Sequence, residues 1–340
     1  MGREGIAMPG VTLVTGARGF LGRAVCKAAL ARGEQVRAFC RQPDPELSEL
    51  GAEVVLGDLR DRACVDVICR DVECVHHVAG LAGIWGRWQQ YYEVNTLATE
   101  HLLTSSRAAG VTRFVYTSSP SVTFDGNDQQ GIDETAPYAS RWLCHYPHSK
   151  ALAEAAVLAE DQNRLQTCAL RPHLIWGPGD RHLLGRLVER SRQGRLRRVG
   201  DGTNRIDMIY IDNAAEAHLQ AAAALQPGAA LCGKAYFISQ GEAVNCWEWI
   251  DQLLAVAGRP PVTRSISCRR AWQIGRVCEA IYRTLGISRE PPMTRFLAAQ
   301  LGTSHYFDIQ NAYRDFGYRP RISTEEGMQR LATDFARQGP

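Results

Sequence analysis

Tyr146 stands four residues before Lys150 in RWLCHYPHSKALAEAAVLAE, and together they are the pair in this chain best suited to moving a proton. Ala, Leu and Glu fill the segment after Tyr146 with no Gly or Pro, which predicts a helix. Residues four apart share a helix face, so the spacing sets a phenol beside an ammonium. A neighbouring cation favours the phenolate and draws a Tyr pKa down from its reference of about 10. A Tyr brought towards ~7 exchanges a proton at neutral pH, as chemistry at a carbonyl or carbinol oxygen requires. The chain has eleven Tyr but three Lys (Lys27, Lys150 and Lys234) against thirty-six Arg. Random placement yields roughly 0.1 such pairs, so the spacing alone leaves chance open. The scarcity of lysine adds weight, because a buried ammonium shifts its pKa readily and a guanidinium does not.

A second cluster lies near the start. VTLVTGARGFLGRAVCKAALARG reads as a buried strand, Val11 to Thr15, then Gly16, Gly19 and Gly22 at three-residue spacing, then an amphipathic helix ending near Gly33. Gly16 suits a tight strand-to-helix turn, Gly19 lets backbone approach a pyrophosphate, and Gly22 allows close helix–strand packing. A helix N-terminus offers free N–H groups and a positive dipole end to phosphates. The next strand, Gln35 to Cys40, ends in Cys40-Arg41-Gln42-Pro43, without the acid that would hold a ribose 2′-hydroxyl. Arg41, with Arg18 from the glycine loop, suits a 2′-phosphate and so NADP(H), the alternative being two solvated surface arginines. Asp58, in VVLGDLRD, is placed to meet the adenine amino group.

These stretches resemble the extended short-chain dehydrogenase/reductases. Within them the chain is similar to the 3β-hydroxysteroid dehydrogenase-like branch, which includes sterol-4-carboxylate 3-dehydrogenases and the 2-alkyl-3-oxoalkanoate reductases of bacterial olefin synthesis. The resemblance rests on TGARGFLG, GDLRD, HHVAG, VNTLATEHLL, VYTSSPSVTFDG, HYPHSKALAE, RPHLIWGPGD and DMIYIDNAAEAH, in that order along residues 15–218. SPSVTFDG, RPHLIWGPGDRHL and FLAAQLGTSHYFD look closest to the olefin-pathway reductases. The resemblance implies Tyr146, Lys150 and Ser119 as catalytic residues. It also implies cofactor contacts from Gly16, Arg18, Gly19, Phe20, Leu21, Gly22, Arg41, Asp58, Leu59, Ala79, Tyr146, Lys150 and Pro172. Ser119 would give the reacting oxygen a second hydrogen bond. Ser118 and Ser121 read more simply as strand-end caps, though Ser121 is also a candidate substrate contact. Asn95, in YYEVNTLATE, matches a family asparagine whose commoner role is structural.

Strands starting near 11, 35, 53, 73, 113 and 167, with helices between them, predict an α/β, Rossmann-type doubly wound parallel sheet. The expected partition is an NADP-binding domain over 10–177, with 207–240 returning to it. A smaller, mostly helical substrate domain takes 178–206 and 241–336. Met208 to Ile211 and Ala235 to Ile238 read as strands added to the main sheet.

At 340 residues the chain can bury a full core. A net charge of +3 without basic tracts argues against nucleic acid. Eleven cysteines without a CxxC, no export signal before the first strand and no bilayer-length apolar run point to the cytoplasm. Cys64, Cys69 and Cys74 read as packing residues. His76 and His77 lack ligand partners, so no metal is expected.

In Cys268 to Leu285 the apolar positions 268, 271, 272, 275, 278, 281, 282 and 285 form one stripe. It reads first as a core-packing face, and alternatively as a lipid-facing surface or the lid of an acyl tunnel. The loop from Gly80 to Trp88 follows the fourth strand, and its Trp85 is expected to cover a hydrophobic substrate or to plug the crevice. Arg181 or His182 is the expected cation for a substrate carboxylate. The reaction so read is NADPH-dependent reduction of a long-chain 2-alkyl-3-oxoalkanoic acid. The alternatives are a 3β-hydroxysteroid or sterol-4-carboxylate dehydrogenase and a non-catalytic NADP(H) sensor. Other enzymes of an olefin pathway are expected partners, as is a second copy through the 91–109 and 146–161 helices, and peripheral membrane contact is kept open.

Overall fold

The computed structural model describes residues 10–338. Seven parallel strands form the central sheet: β1 Val11–Thr15, β2 Val36–Cys40, β3 Glu53–Leu56, β4 Val72–His77, β5 Arg113–Thr117, β6 Gln166–Pro172 and β7 Lys234–Ile238. Their order across the sheet is β7-β6-β5-β4-β1-β2-β3. β1 therefore lies between β2 and β4, with Thr15 opposite both Phe39 and His77. The order of connection reverses there, and a parallel sheet of this kind opens a ligand crevice at that place, beyond the carboxyl ends of the strands. β6 is buried at all seven residues, as an inner strand covered on both faces must be.

The helices that bear on the site are α1 Phe20–Ala31, α2 Ala98–Ala109, α3 His145–Leu158, α4 Leu183–Arg192, α5 Ile211–Ala224, α6 Cys246–Val256, α7 Cys268–Thr284 and α8 Arg295–Gly302. α1 and α5 pack on one face of the sheet, α2 and α3 on the other. The Ala-rich sequence of α5 allows close approach, since nine of its residues, among them Ala214, Ala217 and Ala221, are buried.

Beyond β6 the chain is more than helices. A four-stranded mixed sheet runs Val244–Asn245, Arg205–Ile206, His305–Phe307, Gln129–Ile132. Residues 129–132 thus leave the main sheet to pair with the C-terminal part. The expectation that Met208 to Ile211 extends the main sheet is corrected. Ile209–Tyr210 pairs instead with Ile175–Trp176 as a separate two-stranded ribbon, and α5 begins at Ile211. β7 does join the main sheet, against β6.

α7 is a helix with a narrower inward face than the predicted stripe. Ala271, Gly275 and Glu279 face inward. A Cβ on Gly275 would lie 2.6 Å from the Thr294 carbonyl carbon, so only glycine lets α7 come so close to the start of α8. Glu279 accepts from the Arg295 N–H at 2.7 Å and pairs with its guanidinium at 2.8 Å, so a carboxylate occupies what a purely apolar face would have excluded. Ile274, Val277, Ile281 and Leu285 stand exposed in a row on the outer side.

Candidate active site

The glycine loop closes the turn between β1 and α1. Gly16 has φ +66°, and a Cβ there would meet the Ala79 Cα at 2.7 Å. A Cβ on Gly22 would fall 2.2 Å from the Gly16 carbonyl oxygen, so helix and turn are in contact. Gly19 caps α1 with no side-chain hydrogen bond, which leaves the first-turn N–H groups facing the crevice as an anion site needs. Phe20 and Leu21 open the helix, with Leu21 buried. Ala79 donates to the Thr15 hydroxyl at 3.2 Å, tying the exit of β4 to β1.

At the end of β2, Arg41 is exposed, and Arg18 donates to the neighbouring Gln42. The two guanidiniums therefore border one edge of the crevice. Asp58 is held below the usual carboxylate range, first by hydrogen bonds from Arg60, with Arg41 contributing charge. Arg60 reaches Asp58 at 2.6 Å, and the adjoining Leu59 is buried. These residues fit a dinucleotide: a glycine cradle in which added Cβ atoms would clash, an uncapped helix terminus and two arginines.

Tyr146 and Lys150 lie on the first turns of α3. Ser119 follows β5, and its hydroxyl is 2.8 Å from that of Ser121. Tyr146, Ser119, Ser121 and Pro172 all line one cavity of about 210 Å³. The Lys150 ammonium, 3 % exposed, donates to the Thr117 carbonyl at 2.6 Å and sits 4.1 Å from the Tyr116 ring centre. Burial pushes its pKa down to about 7, opposed by the charge of Glu154.

The expected lowering of the Tyr146 pKa is corrected. Desolvation raises the phenol above its ordinary value and outweighs the lowering by its hydrogen bond with Ser119. Tyr146 and Lys150 share one helix, but the ammonium points to the β5 exit and the Tyr116 ring. The phenol rests in its protonated form, ready to give a proton.

Other expected contacts are also corrected. Trp85 does not line the cavity; Gly83 and Ile84 of its loop do. Its ring N–H donates to the Ile287 carbonyl at 3.1 Å and it meets Tyr282 edge-on, so it fastens the loop to the end of α7. Arg181 and His182 are exposed and outside the cavity lining, while Arg186, one turn into α4, is part of it. Asp180 explains that turn: it accepts from the N–H groups of His182, Leu183 and Leu184 and so starts α4.

The sequence reading missed several lining residues: Phe124, Gln129, His173, Phe296, Gln300, His305 and Phe307. The signal was present in FLAAQLGTSHYFD, where Phe296 and Gln300 have helical spacing and His305 and Phe307 strand spacing. His173 Nδ1 meets Asp207 at 2.6 Å, His173 Nε2 meets His305 Nδ1 at 3.2 Å, and His305 Nε2 meets the Gln300 carbonyl at 2.8 Å. That carbonyl only accepts, so His305 carries its proton on Nε2 and accepts from His173 at Nδ1. His173 is thus engaged at both nitrogens, by Asp207 and by His305. Burial, then the charge of His173, pushes His305 down to about 3, in keeping with its neutral form. His77, between Thr15 and Thr99, and His76 are buried within the sheet.

Lys150 carries a stability cost with a pH signature. With a pKa of about 10.5 unfolded and about 7 folded, it is charged in both states below pH 7, where the full desolvation penalty applies. Between the two values the unfolded chain holds the extra proton, so wild-type stability rises with pH. Lys150→Met should melt at least a few degrees above wild type at pH 6, with the difference fading by pH 10.5. Differential scanning fluorimetry across that range checks it, and a variant no more stable than wild type at pH 6 would contradict a buried ammonium.

Residues 13–265 match the 3-beta hydroxysteroid dehydrogenase/isomerase family. The chain is 48% identical over 327 residues to a 2-alkyl-3-oxoalkanoate reductase of Stenotrophomonas maltophilia, covering 95% of this chain and 99% of that one. It is 32% identical over 328 residues to a 3-beta-hydroxysteroid dehydrogenase of Mycolicibacterium neoaurum, covering 94% and 89%. Among solved structures, MoeE5 in complex with UDP-glucose and NAD superposes with a TM-score of 0.71 at 26% identity, over 97% of this chain and 99% of that one. A glycine turn, a buried Lys150 on the helix that carries Tyr146, and these matches lead to one conclusion: the chain belongs to the 3-beta hydroxysteroid dehydrogenase/isomerase family.

Proposed function

We propose that this protein is an NADP-dependent oxidoreductase that reduces a long-chain 2-alkyl-3-oxoalkanoic acid to the 3-hydroxy acid. The observation that carries it is a cavity in which Tyr146 and Ser119 face the rings of Phe124, Phe296 and Phe307. The nicotinamide cofactor, when bound, supplies the hydride. Tyr146 gives its proton to the ketone oxygen, for which its raised pKa keeps it loaded. Ser119 holds the same oxygen as it gains charge. Lys150, on the same helix, would hold the cofactor ribose through its ammonium. The apolar walls exclude water and hold the chain.

Residues 10–177 and 207–240 form the cofactor part in this reading, and 178–206 and 241–336 the substrate part. Exposed Leu152 and Ala155 on α3 support self-association through α2 and α3. The outer row on α7, with Arg270 in line with it at helical spacing, is the surface for peripheral contact with an anionic membrane. The relatives named for a hydroxysteroid keep the oxidative alternative as a second reading, at lower identity.

Three measurements test the proposal. Tyr146→Phe should lower turnover by ~10² or more with NADPH affinity nearly intact. Retention of most turnover would remove Tyr146 from the mechanism. Wild type should favour NADPH over NADH at least about ten-fold in kcat/KM, and Arg41→Ala should erode this mainly through KM, since one Arg–phosphate pair is worth roughly 1.5–3 kcal/mol. Equal use of the two cofactors by wild type would refute the NADP assignment. Each CH₂ removed from water contributes ~0.8 kcal/mol, so efficiency should climb steeply with chain length until the cavity is full. A flat profile from a C4 to a long-chain 3-oxo acid, or a preference for a 3-ketosteroid, would sink the olefin-pathway substrate.

A further inference from the structure

Among the residues that line the catalytic cavity there is no aspartate or glutamate, and Arg186 is its guanidinium. Asp180, just ahead of α4, starts that helix and so sets where Arg186 falls on it. Arg186 pairs with Glu290, which Arg190 also approaches at 3.8 Å. Two guanidiniums thus share one carboxylate, which leaves a surplus positive charge at the cavity rim. A guanidinium has five N–H donors, and its pair with Glu290 employs only part of them. His173 and His305 cannot take an anion in its stead, because both nitrogens of each are engaged.

The geometry points to Arg186 as the residue that binds the substrate carboxylate and makes the enzyme select 3-oxo acids over plain ketones. The inference rests on the reduction proposed above. In a 3-oxo acid the carboxylate lies two bonds from the ketone carbon, so an oxygen held by Tyr146 and Ser119 sets the carboxylate close by within the same cavity. A bidentate guanidinium matches its planar geometry. The pairing also protects the substrate. A 3-oxo acid loses carbon dioxide most readily as the neutral acid, through a hydrogen bond from its carboxyl to its own ketone. A guanidinium that keeps the carboxylate ionised closes that route.

Because 3-oxo acids decarboxylate in solution, the test runs the reaction backwards. A long-chain 2-alkyl-3-hydroxy acid is compared with the secondary alcohol that lacks the carboxylate, each with NADP⁺, in wild type, Arg186→Gln and Arg186→Lys. The assays run at alkaline pH, where the phenol has released its own proton to solvent; C3 then gives its hydride to NADP⁺ and its hydroxyl proton to the Tyr146 phenolate. Wild type should prefer the acid by about ten-fold or more. Arg186→Gln should lose about ten- to a hundred-fold in kcat/KM on the acid with the alcohol unchanged, and Arg186→Lys should recover part of it. An equal loss on both substrates, or no loss on the acid, would overturn the assignment while leaving the reductase reading in place. Oxidation of neither substrate by wild type would overturn both.

Discussion

A buried ion pair, Arg171 with Glu154, underlies the rest of the site. Glu154 is fully buried and Arg171 is 4 % exposed, and they meet through two hydrogen bonds, of 3.0 and 2.5 Å. Tyr138 adds a third bond to Glu154 at 2.8 Å, and Arg171 lies 5.1 Å from the Phe237 ring centre. The pair locks α3 to β6 in one register, which presents Tyr146 and Lys150 at the strand ends. Glu154 is also one turn beyond Lys150 and supplies the negative charge that opposes its desolvation. Loss of either partner would strand an uncompensated charge in the interior, so α3 has little freedom to shift.

A second set of bonds fixes the start of α3. The Asn95 amide donates to the Leu81 carbonyl and to the Ser149 hydroxyl, and its oxygen accepts from the Leu81 N–H. Thr96 donates to the Ser149 carbonyl. Both residues sit in a π-helical turn over Tyr92–Leu97, where the wider coil brings successive side chains to α3. The loop that borders the cavity and the helix that carries Tyr146 are thereby one rigid unit. The packing of Trp85 against α7 extends that unit to the C-terminal helices. The glycines at 83 and 86 take φ +137° and +150°, which only glycine adopts without strain.

The parts legible in the sequence were those governed by local rules. The six predicted strands depend on short apolar runs, and the glycine turn on φ and close approach at Gly16 and Gly22. What remained hidden depends on desolvation and on distant partners. Helical spacing says that Tyr146 and Lys150 share a face, but not which way the ammonium points or that burial raises the phenol. The stripe on α7 counted apolar residues, whereas its inward face is decided by Gly275 and by a carboxylate whose partner, Arg295, is sixteen residues away. Arg181 and His182 were favoured for nearness to the GPGD turn. The turn instead starts a helix whose periodicity moves the cavity-facing cation to Arg186.

The cavity joins segments from distant places in the chain, and polar bonds rather than apolar packing alone set its shape. Asp207 links His173, after β6, to the Phe307 N–H at 2.9 Å, and His305 links onward to Gln300 on α8. Apolar contacts tolerate sliding, but a chain of hydrogen bonds with each donor matched to one acceptor has a single arrangement. It places Phe296 and Phe307 opposite Tyr146 without lending the cavity any free negative charge. Chemistry and selection are therefore held by different devices. An interior ion pair positions the groups that transfer a proton, and a hydrogen-bonded histidine chain holds the wall that the substrate meets. Substitutions in that wall can alter which ketone enters while the Glu154–Arg171 register, and with it the reacting geometry, stays as it is.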